Sequence, residues 1–323
     1  MPIMFQRKHV YWVIQIIFVI TAASFLYSYI GDKEVFRKIQ AATVPGDDPS
    51  FVKVIYGKFG SEFDKPMAVT VANNRIYVSD TNNRRVQILD YEGNLVKTFG
   101  ASGTKPEQFQ FPYGLAGDSK GVIYVADLYK GTVAKFDKDG KYLGLFAPKS
   151  FTAPAGMAIK NDLVYITDVR KNRVQVFDLN GKLVREFGKT GRGNGEFLAP
   201  NAITADNEGT VYVTDTGNQR VQIFDKNGKF VRIITGAASK QSGSVFVNPR
   251  GIGVDDRGRL YVVSNLTHRL YGFTKAGAQL FNVGGQGEGE NQFTLPNGLF
   301  IDDLGRVYVT DTANQRIEVL QSR

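Results

Sequence analysis

The residues best equipped for chemistry are acids and bases that recur at one offset. Asp80 and Arg85, Asp168 and Arg173, Asp215 and Arg220, and Asp311 and Arg316 stand five positions apart, with Asn83, Asn218 and Asn314 inside three of the pairs. Carboxylates in such number can work as general acids and bases or gather a cation. An arginine at that spacing can instead present its planar fork to the carboxylate. Recurrence decides between these readings. A catalytic site needs one distinguished place, and a staple serves equally well in every copy. The pairs are therefore expected to hold turns: Asp caps turn N–H groups, Asn adopts a left-handed conformation, and Arg neutralises the acid. No catalytic residue is expected among them.

Composition removes several other chemistries. There is no cysteine, which excludes disulfides, Cys-ligated zinc and thiol catalysis, and only two histidines exist, His9 and His268. No metal site and no cofactor is expected. Gly188-Lys189-Thr190 looks like the end of a phosphate loop, but no glycine stands five residues earlier and no strand-to-helix context surrounds it, so no nucleotide cofactor is expected either. A net charge of +9 and a pI near 9.4 favour anionic partners.

The elements that must position these pairs repeat. VYVTDTGNQRVQIFD, from Val211 to Asp225, reads as strand, tight turn, strand, and copies start at Ile76, Ile123, Val164, Leu260 and Val307. Successive starts are 47, 41, 47, 49 and 47 residues apart, a period that in a β-rich chain signals a propeller. Each unit opens with proline and a short strand of small residues, at Pro66, Pro112, Pro154, Pro200, Pro249 and Pro296. Proline there loses no interior ladder bond, and small side chains suit a crowded axis. The second position of the repeat is tyrosine in every copy (Tyr77, Tyr124, Tyr165, Tyr212, Tyr261, Tyr308), as packing between neighbouring blades requires. A fourth, outer strand such as Leu183–Gly188 follows a glycine turn. The fold expected is all-β, a six-bladed propeller over residues 51–323 with four-stranded blades. The last unit ends after three strands, and IYGKFG at Ile55–Gly60 resembles the outer strand LVKTFG at Leu95–Gly100. Strands from both chain ends are thus expected to close the ring.

Departures from the repeat mark where a site could lie. The second copy has Lys130 and Thr132 at the Asn and Arg places, leaving Asp127 without its partner, and the fifth has Ser264 for Asp, followed by Asn265, Thr267 and His268. These are either drift in a tolerant turn or replacements on one rim. The same rim gathers non-repeating cations, and the candidate binding face comprises Arg84, Tyr129, Lys130, Arg170, Lys171, Arg192, Arg250, Asn265 and His268, with Lys189, Phe111 and Tyr113 nearby. Cations interleaved with aromatics suit a polyanion or a stacked sugar or base.

Val10 to Ile30 contains no Lys, Arg, Asp or Glu. As a helix it spans about 30 Å, the thickness of a bilayer core. Tyr11 and Trp12 sit at one end and Tyr27 and Tyr29 at the other, and Arg7 and Lys8 precede it. The expectation is a cytoplasmic tail at 1–9, a single-pass transmembrane helix at 10–30, a stalk and linker at 31–50, and the propeller on the periplasmic or extracellular side. A cleaved signal peptide at Thr21-Ala22-Ala23 is the rival; the apolar run continues past it through Phe25, Leu26, Tyr27 and Ile30.

The pattern Phe197, Pro200, Tyr212, Asp215, Asn218, Arg220, Gly236 resembles the NHL repeat, over residues 51–323. That resemblance implies a six-bladed propeller used mostly to bind proteins, RNA or glycans, with extracytoplasmic sensor domains and an amidating lyase among its members. The lyase would need several metal-binding histidines that this chain lacks. The function expected is a membrane-anchored binding, scaffold or sensor module for a protein or an anionic glycan, rather than an enzyme. One alternative is a metal-dependent hydrolase or lyase with its site near the axis. Another is an RNA-binding propeller, which requires a cytoplasmic domain; nucleic acid is not the expected partner of an exported one.

Overall fold

The computed structural model describes residues 48–237 and 243–323. They form six four-stranded antiparallel sheets and one two-stranded hairpin. The fourth sheet, Pro200–Ala205, Val211–Asp215, Arg220–Phe224 and Phe230–Ile234, shows the common plan, with its strands in chain order. The first strands of all six line a central cavity. The expected tail and membrane helix, and all but residues 48–50 of the linker, lie outside the described residues. Among the described residues no helix is long and apolar enough to cross a membrane.

The repeated tyrosines do what a large ring at one place per blade should. Each is 1% exposed or less and packs into the core shared with the next blade. Tyr77 meets Leu115, Ile123 and Val125, Tyr212 meets Ile252, Leu260 and Val262, and Tyr308 meets Ile76, Val78 and Leu89 around the closure. Their hydroxyls find acceptors: those of Tyr124, Tyr212, Tyr261 and Tyr308 donate to Asp118, Asp206, Asp255 and Asp302 of their own inner turns. A second anchor precedes each opening proline by three residues. Phe63, Phe109, Phe151, Phe197, Phe246 and Phe293 are each 9% exposed or less.

The axis accounts for the small residues in the inner strands. A Cβ on Gly114 would lie 1.9 Å from the carbonyl oxygen of Ala155 in the next blade, and one on Gly156 would lie 2.4 Å from that of Asn201. Only hydrogen fits there. In the second strands of three blades, one position before the staple aspartate, Ser79, Thr167 and Thr214 donate to the carbonyls of Tyr113, Asn201 and Arg250, tying each of these blades to its neighbour.

Both chain ends build the sixth blade, but with a different strand from the one expected. Ser50–Ile55, not Ile55–Gly60, pairs with Arg316–Gln321, and Ile55 stands opposite Ile317 as Phe99 stands opposite Val86. Loop length explains the shift. Nine residues separate Phe99 from the buried Phe109, whereas a strand ending at Phe59 would leave three before the buried Phe63, too few to cross the end of the blade. Ile55 takes the inward place instead, at 4% exposure. The remainder folds as a hairpin of Gly57–Lys58 and Ser61–Glu62, with Phe59 exposed at its tip.

Candidate functional site

The hairpins between second and third strands, with the loops that enter each blade, make one face of the disc. Strand register places Asp215 directly opposite Arg220, and the same holds for Asp80 and Arg85, Asp168 and Arg173, and Asp311 and Arg316. Asp215 Oδ1 accepts the backbone N–H of Leu198 at 2.8 Å, and its Oδ2 accepts from Asn218 Nδ2 at 2.8 Å, Arg220 Nε at 2.7 Å and Gln222 Nε2 at 3.0 Å. Arg220 then turns its terminal nitrogens on the loop carbonyls of Arg192, Gly193 and Glu196. The staple thus joins the hairpin to the incoming loop as well as holding its own turn. Blade six repeats it, with Arg316 Nε on Asp311 at 2.7 Å and its other nitrogens on the carbonyls of Glu288, Gly289 and Gln292. In blade one Arg85 Nε lies 2.6 Å from Asp80. Blade three is looser: Arg173 is 3.9 Å from Asp168 and 2.6 Å from Glu186. Asp80, Asp168, Asp215 and Asp311 are fully buried, so none can meet a substrate without opening the loop above it.

The two departures are compensated. Asp127, without an arginine, accepts the N–H groups of Gln110, Phe111, Tyr129 and Lys130. Lys130 Nζ reaches the carbonyls of Lys105 and Gln108 at 2.6 Å each, the place Arg220 fills with Glu196. Burial lowers the pKa of this ammonium. In blade five Ser264 Oγ accepts the N–H of Val247, and Arg269 bonds Asn282 at 2.7 Å. Asn265 Nδ2 donates to the carbonyl of Pro296 at 2.9 Å, as Thr216 does to that of Pro249. The left-handed residue of these turns is not Asn83, Asn218 or Asn314, as expected, but the one after it (Arg84, Gln219, Gln315), since each Asn is held by its bond to the staple Asp. His268 sits at that left-handed position (φ 57°) and its Nδ1 accepts the N–H of Leu295 at 3.1 Å, as Asn172 Oδ1 does for Ala199. Desolvation lowers its pKa, favouring the neutral ring that this bond needs. Lys130, Asn265 and His268 are thus engaged in holding loops.

What remains on the face is sorted by the structure. Arg84 donates to Ser102 Oγ, and Lys189 lies 3.4 Å from Glu196. Arg170, Lys171 and Arg192 are exposed. Tyr129 is 59% exposed and stacks on Phe111, centroids 4.5 Å apart at 25°; Phe111 in turn stacks near Tyr113 at 6.2 Å and 22°. Lys65 Nζ stands 5.6 Å from the Phe111 ring. Leu128 and Val169, which replace the interblade threonine in blades two and three, pack with Phe111 against Met67, Tyr113 and Ala155. One half of the face is therefore aromatic and basic.

At the centre of this face two of the expected residues, Arg250 and Tyr113, stand with four that the sequence pattern did not single out. The residue after each opening proline points to one place around the axis, and the six are Met67, Tyr113, Ala155, Asn201, Arg250 and Asn297. Tyr113 Oη lies 2.8 Å from Asn201 Oδ1 and 3.2 Å from Asn297 Oδ1, and Arg250 Nη1 donates to Tyr113 Oη at 3.3 Å. These contacts cross the ring, and they plug one end of a cavity of about 280 Å³. The only charged residues lining that cavity are Lys160 and Asp303. Among the described residues no group of three or more His, Cys, Asp or Glu is placed to hold a metal. The sequence did carry a signal: this is the position that varies most between otherwise constant neighbours.

Comparison with known proteins agrees with the ring. The family described as SMP-30/Gluconolactonase/LRE-like region matches residues 146–266, and the NHL repeat matches residues 293–320. "Protein brain tumor" of Drosophila melanogaster is 29% identical over 140 residues, 40% of this chain, and the match spans 14% of that relative. Among solved structures, virginiamycin B lyase from Staphylococcus aureus is 14% identical with TM-score 0.57, covering 80% of this chain and 95% of the other. A gluconolactonase from Xanthomonas campestris is 17% identical with TM-score 0.61, covering 87% and 97%. At these identities the two structures show likeness of fold.

Proposed function

Starting from a six-bladed propeller built of NHL-type repeats, we propose that the chain is a recognition module, a binding, scaffold or sensor element whose hairpin face holds an anionic partner, protein or glycan. The observation that carries this reading is the division of charge on that face. Its buried carboxylates are consumed by the staples, while Arg170, Lys171 and Arg192 stay exposed on the face that also carries the Phe111–Tyr129 stack. Such a surface attracts anions over distance and gives them ring faces to settle on. The proposal includes the single-pass anchor at 10–30 and an extracytoplasmic propeller.

The test uses full-length chain in detergent micelles on immobilised heparin. Salt-dependent retention is expected, weakened several-fold by joint Arg170→Gln, Lys171→Gln and Arg192→Gln replacement; absence of retention overturns the reading. Protease applied outside intact cells should digest the propeller, and protection would reverse the topology. A second reading, a hydrolase or lyase with a metal near the axis, draws support from the match to the SMP-30/gluconolactonase region. It predicts stoichiometric divalent metal in dialysed protein.

A further inference from the structure

Four side chains from four blades bring hydrogen-bonding groups to the axis without an acid. Arg250 is the key member. Its Nη1 donates to Tyr113 Oη, its Nε is buried without a protein acceptor, and it takes part in none of the ion pairs among the described residues. A partly buried guanidinium without a counter-ion is costly unless something anionic comes to it. Tyr113 does not offset this: its single hydroxyl proton is shared between Asn201 Oδ1 and Asn297 Oδ1, while its oxygen takes one Arg250 donor. Arg250 therefore has donors to spare, and an acceptor with two oxygens in one plane would satisfy the arginine fork.

The surroundings describe the rest of the ligand. From Tyr113 the near-parallel rings of Phe111 and Tyr129 lead outward, the last of them 59% exposed. That strip offers flat apolar faces, on which the C–H face of a pyranose can lie. One cation, Lys65, stands over it, whereas successive phosphates of a nucleic acid call for a charged groove that follows the backbone.

We propose that the axial ring of the hairpin face binds a hexuronate, with its carboxylate on Arg250 and Tyr113, flanked by Asn201 and Asn297, and its sugar ring against Phe111 and Tyr129. This inference rests on the reading of that face as a recognition surface, and it names the ligand class.

The experiment is calorimetric titration of full-length chain in micelles with digalacturonate, its methyl ester, inorganic phosphate, acetate and a short single-stranded oligonucleotide. Digalacturonate should bind about tenfold or more tighter than the ester, the difference expected for a charge-assisted bond. Arg250→Met should remove that preference, and Arg250→Lys should retain part of it. Tyr129→Ala should weaken digalacturonate several-fold and leave acetate unchanged, with melting temperatures close to wild type confirming intact folds. Equal binding of acid and ester, or indifference to Arg250→Met at an intact fold, overturns the site. Phosphate or oligonucleotide bound in preference to digalacturonate, and dependent on Arg250, overturns the sugar assignment. Heparin retention that persists while digalacturonate fails to bind sinks this inference alone; loss of both sinks the recognition reading with it.

Discussion

The hairpins of blades four and six carry the same staple but differ in the buried polar side chain beside it, Gln222 in one and Glu318 in the other. In blade four Gln222 Nε2 donates to the carbonyl of Glu196 at 2.7 Å and to Asp215 at 3.0 Å, and its Oε1 accepts the N–H of Gly195. In blade six the same place holds Glu318. Its Oε1 accepts the N–H of Asn291 at 2.7 Å, but its Oε2 faces Arg316 Nη2 at 3.3 Å and, when ionised, has nothing to donate to Asp311 or to the carbonyl of Gln292. Blade six therefore packs two acids against one arginine, all 1% exposed or less. Burial pushes Glu318 up to about 7, against the pull of the Asn291 N–H and Arg316, and it raises Asp311 as well. A protonated Glu318 is a close mimic of Gln222. The lesson is that a repeat can conceal a titratable group at the blade where the two chain ends meet.

The largest expected effect comes from removing the arginine. Arg316→Met should strand two buried carboxylates and lose about 3–5 kcal/mol, and Arg220→Met, which strands only Asp215, should lose less; equal losses in urea unfolding would show that Glu318 carries no charge at neutral pH.

The next effect is in pH. The folded pKa of Glu318 is raised above its ordinary 4.5, to about 7, so the folded state holds the proton more tightly than the unfolded chain. Stability is then full below about 4.5 and is lost as pH rises through about 7, by on the order of 3 kcal/mol. Glu318→Gln should flatten that slope between pH 5 and 8 and make the propeller more stable at pH 8. An unchanged slope in the variant would assign the titration elsewhere.

The staple itself comes third. A double-mutant cycle on Asp215 and Arg220 should return a coupling of about 1–3 kcal/mol, with heparin retention unaffected. Weakened retention at an unchanged melting temperature would place the pair in the binding site after all. Smallest is Lys130→Met, expected to lose about 1 kcal/mol through its two carbonyl bonds and to leave retention as it was. Retention that falls as it does on replacing Arg170 and Lys171 would return Lys130 to the face.

Much of the ring was legible in advance because its reasons are local and repeated. A tyrosine at one place per blade, a proline at each strand start and an acid five residues from an arginine each announce the same contact several times over. The closing strand was not legible because the Phe-Gly of Ile55–Gly60 resembles the outer strands of other blades, whereas the distance left to Phe63 decides the register. The roles of Lys130, Asn265 and His268 were hidden for a related reason. Each acts on a partner 22–31 residues away in sequence, the carbonyl of Gln108, the carbonyl of Pro296 and the N–H of Leu295. Substitution in a turn looks like loss until the incoming loop is seen above it.

By itself the sequence determined the number of blades, the order of strands within them and the hairpin staples, since period, proline placement and side-chain alternation suffice for these. Only the tertiary structure decided what stands at the axis. Met67, Tyr113, Ala155, Asn201, Arg250 and Asn297 come from six separate blades, and ring closure alone brings Tyr113 within 3.3 Å of an arginine 137 residues away. Each follows the opening proline of its blade, but nothing local says what the six do together, because they meet only at an axis that exists once the last strand is paired.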